Sequence, residues 1–162
     1  MANSAPSSPD VIFESLNEFD RHVAEQIGEV FPEWISHATA ETDQYGETAL
    51  VVTIPAPSGR FARPLRIETF GGEVTVSFDC YHGHFSQFSG GLERTALDLI
   101  QELLSEENVV VSYWRDNQGC GAFMAPSDDI PNTNDEYPYA NRLRIRSWSG
   151  RFDRDISCEP RG

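Results

Sequence analysis

The sequence predicts an α+β fold: a mainly antiparallel, twisted sheet of five to seven strands with two helices packed on one face. Three observations carry this. Two segments have helical periodicity, near residues 15–31 and 91–106. The apolar runs between and after them are short and rich in Val, Ile, Phe and Thr, as strands are. Those runs are joined by tight turns instead of crossover helices, which favours antiparallel pairing. With 162 residues and a 39% hydrophobic content, the chain can bury roughly 68–70% of its unfolded surface. One domain over residues 10–155 is expected, with mobile termini at 1–9 and 156–162.

Each element has its own signal. Ser15 and Glu18 have the spacing of a capping box, and Leu16, Phe19, Val23, Ile27 and Val30 then recur on one helical face. The helix should stop near Phe31, because Pro32 disfavours helical geometry in the residue before it. Residues 34–40 read as an edge strand, followed by a turn at Asp43-Gln44-Tyr45-Gly46 and a strand at 49–54. Leu65–Thr69 and Glu73–Phe78 alternate apolar and polar on either side of Gly71-Gly72, a two-residue hairpin signal. The second helix should place Leu92, Ala96, Leu99, Ile100 and Leu103 on one stripe. Asn108–Trp114 reads as a central strand buried on both faces, with Cys120–Ala125 as its partner. Residues 126–141 lack any period, and Asn141–Trp148 closes the sheet. Val76, Phe78, Leu99, Leu103, Val109 and Val111 are the predicted core.

Charge bounds the function. The chain carries 26 acidic side chains against 12 arginines and no lysine, a net charge of −14. Residues 1–136 hold 23 of the acids and 6 of the arginines. Such a field repels nucleic acid and anionic membranes and draws basic partners. The opening residues MANSAPSSPD have no basic n-region followed by an apolar run, so no secretory signal is expected. An odd number of cysteines (Cys80, Cys120, Cys158) without a CxxC motif argues for reduced thiols and a cytoplasmic protein.

Catalytic patterns are weak. There is no GxSxG, no GxGxxG followed by a helix and no phosphate-binding GxxxxGK[ST]. Asp79, His82 and His84 suggest a metal-dependent enzyme as an alternative. If the strand ran on past Phe78, His82 and His84 would share one face with Cys80. A zinc site would still need further ligands, so no metal and no cofactor is expected. Cys80 and Cys120 show no activating neighbour in the sequence and read as inert core thiols. A small-ligand or assembly module, with a pocket lined by Tyr81, His82 and Trp114, is another alternative. Arg142, Arg144 and Arg146 should share a sheet face and serve in cross-strand ion pairs.

The acidic loop joins Asp128, Asp129, Asp135 and Glu136 to Tyr137 and Tyr139. Tyrosines can anchor an interface while carboxylates steer a basic partner, so these six residues are the candidate partner-binding site. GGEVTVSFDCYHGHF (71–85), leading to a helix and then VVVSYW (109–114) in a small acidic α+β chain, resembles the immunity proteins of bacterial polymorphic toxin systems. The resemblance covers the general layout of residues 15–150. It implies a cytoplasmic inhibitor that binds and neutralises a cognate toxin protein, has no enzyme activity of its own and acts as a monomer. The charge adds that the toxin should be basic.

Overall fold

A computed structural model describes residues 13–57 and 64–162. The expected mobile segment 1–9 lies outside them. Helix α1 spans Glu18–Val30. Its cap is Asn17, whose side-chain oxygen accepts the Asp20 N–H at 2.8 Å, so the helix starts two residues later than a Ser15 cap would place it. Asn caps as well as Ser does. Asp20, Val23, Ala24 and Ile27 form the buried face. The helix ends at Val30 with Phe31 as its C-cap, ahead of Pro32 as expected. A short 3₁₀ turn, Pro32–His37, follows where the sequence suggested an edge strand. Proline suits the first turn of a helix, and the Phe31 and Trp34 rings stack with centroids 3.9 Å apart.

Strands β1 (Ala38–Thr42) and β2 (Thr48–Ile54) pair antiparallel. Between them the Asp43 carboxylate accepts the N–H groups of Tyr45 and Glu47 at 2.8 and 2.9 Å. Strands β3 (Leu65–Phe70) and β4 (Glu73–Phe78) form the hairpin read from the sequence. Gly71 and Gly72 have φ values of 57° and 77°, as a two-residue type I′ turn requires. The strand does not run on past Phe78. Asp79 and Cys80 make a second tight turn, with Asp79 at φ 51°, a conformation aspartate tolerates better than most residues. Strand β5 (Tyr81–Phe85) then returns beside β4, and the sheet order is β1-β2-β3-β4-β5.

Helix α2 spans Ala96–Leu104, shorter than the expected 91–106. Gly90 and Gly91 adopt φ 85° and 79°, and a capping box starts the helix after them. Asp98 accepts the Thr95 N–H at 2.8 Å, while the Thr95 hydroxyl oxygen accepts the Asp98 N–H at 3.3 Å. The Thr95 backbone and hydroxyl groups hold the Asp98 pKa below the ordinary carboxylate range. Leu92 falls outside the helix and is fully exposed, whereas Leu99, Ile100 and Leu103 are buried.

The remaining strands are β6 (Asn108–Arg115), β7 (Gln118–Pro126), β8 (Arg142–Arg146) and β9 (Arg154–Ser157), in the order β7-β6-β8-β9. All three pairings are antiparallel. The expectation of one sheet is therefore corrected: the described residues form a five-stranded and a four-stranded sheet. Both edges of β6 are taken by β7 and β8, so the central strand has no edge left for the first sheet. The chain past residue 155 was expected to fray. Instead β9 pairs with β8, Ile156 and Cys158 pack on a core cluster, and the Cys158 and Arg161 N–H groups donate to the carbonyls of Asn141 and Pro138 at 2.9 and 2.8 Å.

The described residues gather into two compact units, one from residues 13–54, 66–76 and 83–98, the other from 55–57, 64–65, 77–82 and 99–162. The first buries Leu16, Val23, Ile27, Leu50, Val52, Ile67, Val74 and Val76. The second buries Phe78, Leu99, Leu103, Val109, Val111, Tyr113, Leu143 and Ile145. All six predicted core residues are buried.

Candidate functional site

The first unit holds an acidic cleft of about 330 Å³. Asp20, Glu41, Asp43, Glu47 and Glu68 line it, with Phe70 on its wall. Topology explains the cluster. The β1–β2 turn brings Asp43 and Glu47, β1 and β3 bring Glu41 and Glu68 from their polar positions, and the first turn of α1 brings Asp20. Arg66 answers part of this charge, at 2.8 Å from Glu68 and 3.6 Å from Glu41. Two aromatics stand exposed here, Phe70 (67%) and Tyr45 (82%), the latter in the turn that carries Asp43.

Asp20 is only 3% exposed. Burial pushes its carboxyl above the ordinary range, partly offset by a hydrogen bond from Thr69. The Thr69 oxygen also accepts the Leu50 N–H at 3.0 Å, which leaves its hydroxyl hydrogen for Asp20. A carboxyl whose folded pKa is raised favours the fold below its unfolded pKa, near 3.8. It loses that contribution as pH rises through the folded value. Asp20→Asn should therefore be more stable than the parent at pH 7, with the difference closing as pH falls below about 4. Urea titrations at both pH values check this, and an Asn variant less stable at pH 7 contradicts it.

The second unit holds the arginine stripe. Leu143 and Ile145 of β8 point into the core, and Arg142, Arg144 and Arg146 alternate with them, as period two dictates. Arg144 Nη2 lies 2.9 Å from Asp79 Oδ2, with the two side chains 19% and 1% exposed. It also donates to Cys80 Sγ at 2.9 Å. Arg146 pairs with Asp155 at 3.0 Å. The Trp114 ring lies 4.8 Å from the Arg144 guanidinium and 5.7 Å from that of Arg142. Burial works against the Arg144 charge, but Asp79 and then Cys80 outweigh it and raise the guanidinium pKa. The expected cross-strand ion pair is formed at Arg146, between β8 and β9, whereas the partner of Arg144 lies in the Asp79-Cys80 turn.

A cleft of about 270 Å³ opens in the same unit, lined among others by Cys80, Ser112, Trp114 and Cys120. Cys120 is the extra residue of a β-bulge, because Tyr113 pairs with Gly121 and Trp114 with Gly119. Neither Tyr81 nor His82 is among the residues that line this cleft.

The Asp79/His82/His84 constellation does not assemble as the sequence suggested. The turn at Asp79-Cys80 reverses the chain, so His82 and His84 are exposed on β5 and not on the buried face of β4. His84 Nδ1 sits 2.8 Å from Glu73 Oε1 and 2.9 Å from Thr75 Oγ1, while Asp79 is taken by Arg144. No group of three or more His, Cys, Asp or Glu among the described residues is arranged to hold a metal ion.

The loop 126–141 proves to be an anchored cap on its unit's core. Ile130, Tyr137 and Ala140 pack against the cluster of Val109, Val111, Tyr113, Leu143 and Ile145. The buried Asn134 amide reaches the carbonyls of Pro138, Ala140 and Glu159 at 3.1, 2.8 and 3.0 Å. Asp135 is fixed by the Thr133 hydroxyl at 2.8 Å and by Arg161 at 2.6 Å, which together lower its pKa. Asp128, Asp129, Asp135, Glu136 and Tyr139 are exposed. Tyr137 is half-buried, its ring centroid 4.9 Å from that of Tyr113, and the Arg115 guanidinium lies 4.9 Å over the Tyr139 ring.

No protein-family model, curated protein or solved structure matches this chain. No helix among the described residues is long and apolar enough to cross a membrane.

Proposed function

We propose that this chain is a binding protein of the immunity kind, a monomeric cytoplasmic inhibitor that captures a basic toxin domain through its acidic surface and has no catalytic activity of its own. One observation carries the reading above the charge alone. Five carboxylates converge on the cleft of the first unit, answered nearby by Arg66, with Phe70 and Tyr45 exposed beside them. Aromatic side chains next to a charged concavity suit a protein interface, in which the rings supply contact area and the charges steer approach. The exposed acids of the 126–141 loop, Asp128, Asp129, Asp135 and Glu136, offer a second contact, with Tyr137 and Tyr139 between or beside them.

The test is kinetic. The product of a toxin-like reading frame next to this gene, made without activity, serves as the partner. Steering by exposed charge weakens as the Debye length shortens from about 10 Å at 0.1 M salt to about 3 Å at 1 M. Association should slow by roughly tenfold or more over that range, while dissociation changes little. Amide replacements at Glu41, Asp43, Glu47 and Glu68 should slow association, as should those at Asp128, Asp129, Asp135 and Glu136. Phe70→Ala should speed dissociation. A salt-independent association rate, with both amide sets behaving as the parent, overturns the reading.

A further inference from the structure

We infer that Cys80 is a modification site that reacts with hydroperoxides as its thiolate, and that Cys120 resolves the product into an intramolecular disulfide. The three cysteines occupy different chemical settings. Cys80 Sγ accepts an N–H from the Arg144 guanidinium at 2.9 Å, and a cationic donor at a sulfur favours the thiolate, the nucleophilic form. The Cys120 sulfur sits 3.9 Å from the Gln118 carbonyl oxygen and donates to it, an arrangement that needs the thiol hydrogen. Cys80 and Cys120 line one cleft of about 270 Å³, large enough for a small peroxide. Cys158 is not among the residues lining that cleft; it packs on the core cluster, as Cys120 also does. The Arg144 guanidinium lies 4.8 Å over the Trp114 ring, a cation–π contact that helps hold it in place.

Asp79 opposes this effect. Its Oδ2 shares Arg144 Nη2, and a carboxylate beside a thiolate disfavours the second negative charge. Asp79 thus sets how far the thiolate is favoured, and its removal should sharpen the reactivity.

The chemistry balances without another reactant. The Cys80 thiolate attacks one peroxide oxygen, an S–O bond forms, the O–O bond breaks, and the leaving alkoxide or hydroxide takes a proton from water. Sulfur loses two electrons and the peroxide gains them, leaving a sulfenic acid. The Cys120 thiol gives its proton to water and then attacks that sulfur as the thiolate. The S–S bond forms and hydroxide departs as water.

Brief alkylation of the full chain with iodoacetamide between pH 5 and 9, read by peptide mass spectrometry, tests the first claim. Cys80 should label at least about tenfold faster than Cys120 or Cys158 at pH 7, with a midpoint below the roughly 8.5 of an ordinary thiol. Arg144→Gln should slow it, and Asp79→Asn should speed it. Because Arg144→Gln leaves a buried carboxylate unpaired and can unfold the chain, the parent's pH profile and Asp79→Asn decide the matter independently. Equal labelling of the three cysteines, or an Asp79→Asn variant slower than the parent, overturns the assignment. With a stoichiometric amount of hydrogen peroxide, the parent should yield a Cys80–Cys120 disulfide. Cys120→Ser should instead yield a dimedone adduct on Cys80. A dimedone adduct on Cys80 in the parent, with no disulfide, overturns the role of Cys120.

Discussion

Arg144→Ala is expected to cost about 3–5 kcal/mol of stability, the usual consequence of removing one partner from a buried ion pair. The Asp79 side chain is 1% exposed and its Oδ1 has no hydrogen-bond partner. Arg144 is therefore what compensates this carboxylate, and alanine would leave it buried and charged. The large effect comes from orphaning Asp79, so taking both charges away should cost much less than the sum. Asn at position 79 keeps tolerance of the positive φ, and Met at 144 keeps much of the arginine stem volume. The double variant Asp79→Asn/Arg144→Met should recover at least half of the loss. Urea unfolding of the two single variants and the double one measures this. A loss below about 1 kcal/mol for Arg144→Ala would mean that water reaches Asp79.

Gly121 and Tyr137 are expected to behave as one unit. A Cβ built on Gly121 would collide with the hydroxyl oxygen and Cζ of Tyr137, closer than real atoms approach. The rigid ring cannot bend away without leaving Tyr113, so Gly121→Ala should cost about 1–3 kcal/mol as an overpacking change. Tyr137→Ala removes an aromatic ring packed on the core and should cost about 3 kcal/mol. In the Tyr137→Ala background, Gly121→Ala should cost little, because the atom it would strike is gone. Additive losses would show that the ring does not rest on Gly121 and that the 126–141 cap is looser than described. The result also bears on binding. Tyr137→Ala would loosen the cap as well as remove a contact, so Tyr139, which is exposed, is the cleaner probe of that surface.

Much of the fold was legible because its signals are local. Gly71-Gly72 between two alternating runs specifies a hairpin whatever surrounds it, and Pro32 ends α1 by its own geometry. The apolar run at 109–111 identifies a central strand, since only a strand flanked on both sides and covered on both faces tolerates so little polarity. Errors fell where two local solutions compete. Asn17 and Ser15 are both good caps, and only the packing of Asp20, Val23 and Ile27 chose between them. Leu92 fits the stripe of α2 by spacing, but Gly90-Gly91 and the Thr95–Asp98 box set a later start. The 126–141 segment has no period, so nothing in it announced that Ile130 and Tyr137 would rest on β6 and β7.

By itself the sequence determined the α+β class, the hairpins, the buried residues and the acidic balance, all of which depend on neighbours a few positions apart. The tertiary structure decided the rest. It alone split the strands into two sheets and folded Asp79-Cys80 into a turn. It brought Arg144 to Cys80 across 64 positions of chain and gathered acids from α1, β1, β3 and the β1–β2 turn into one cleft. The reason is the range of the forces involved. Periodicity and turn chemistry act within one turn or one hairpin. An ion pair or a shared cleft depends on where distant strands come to lie, which no local pattern encodes.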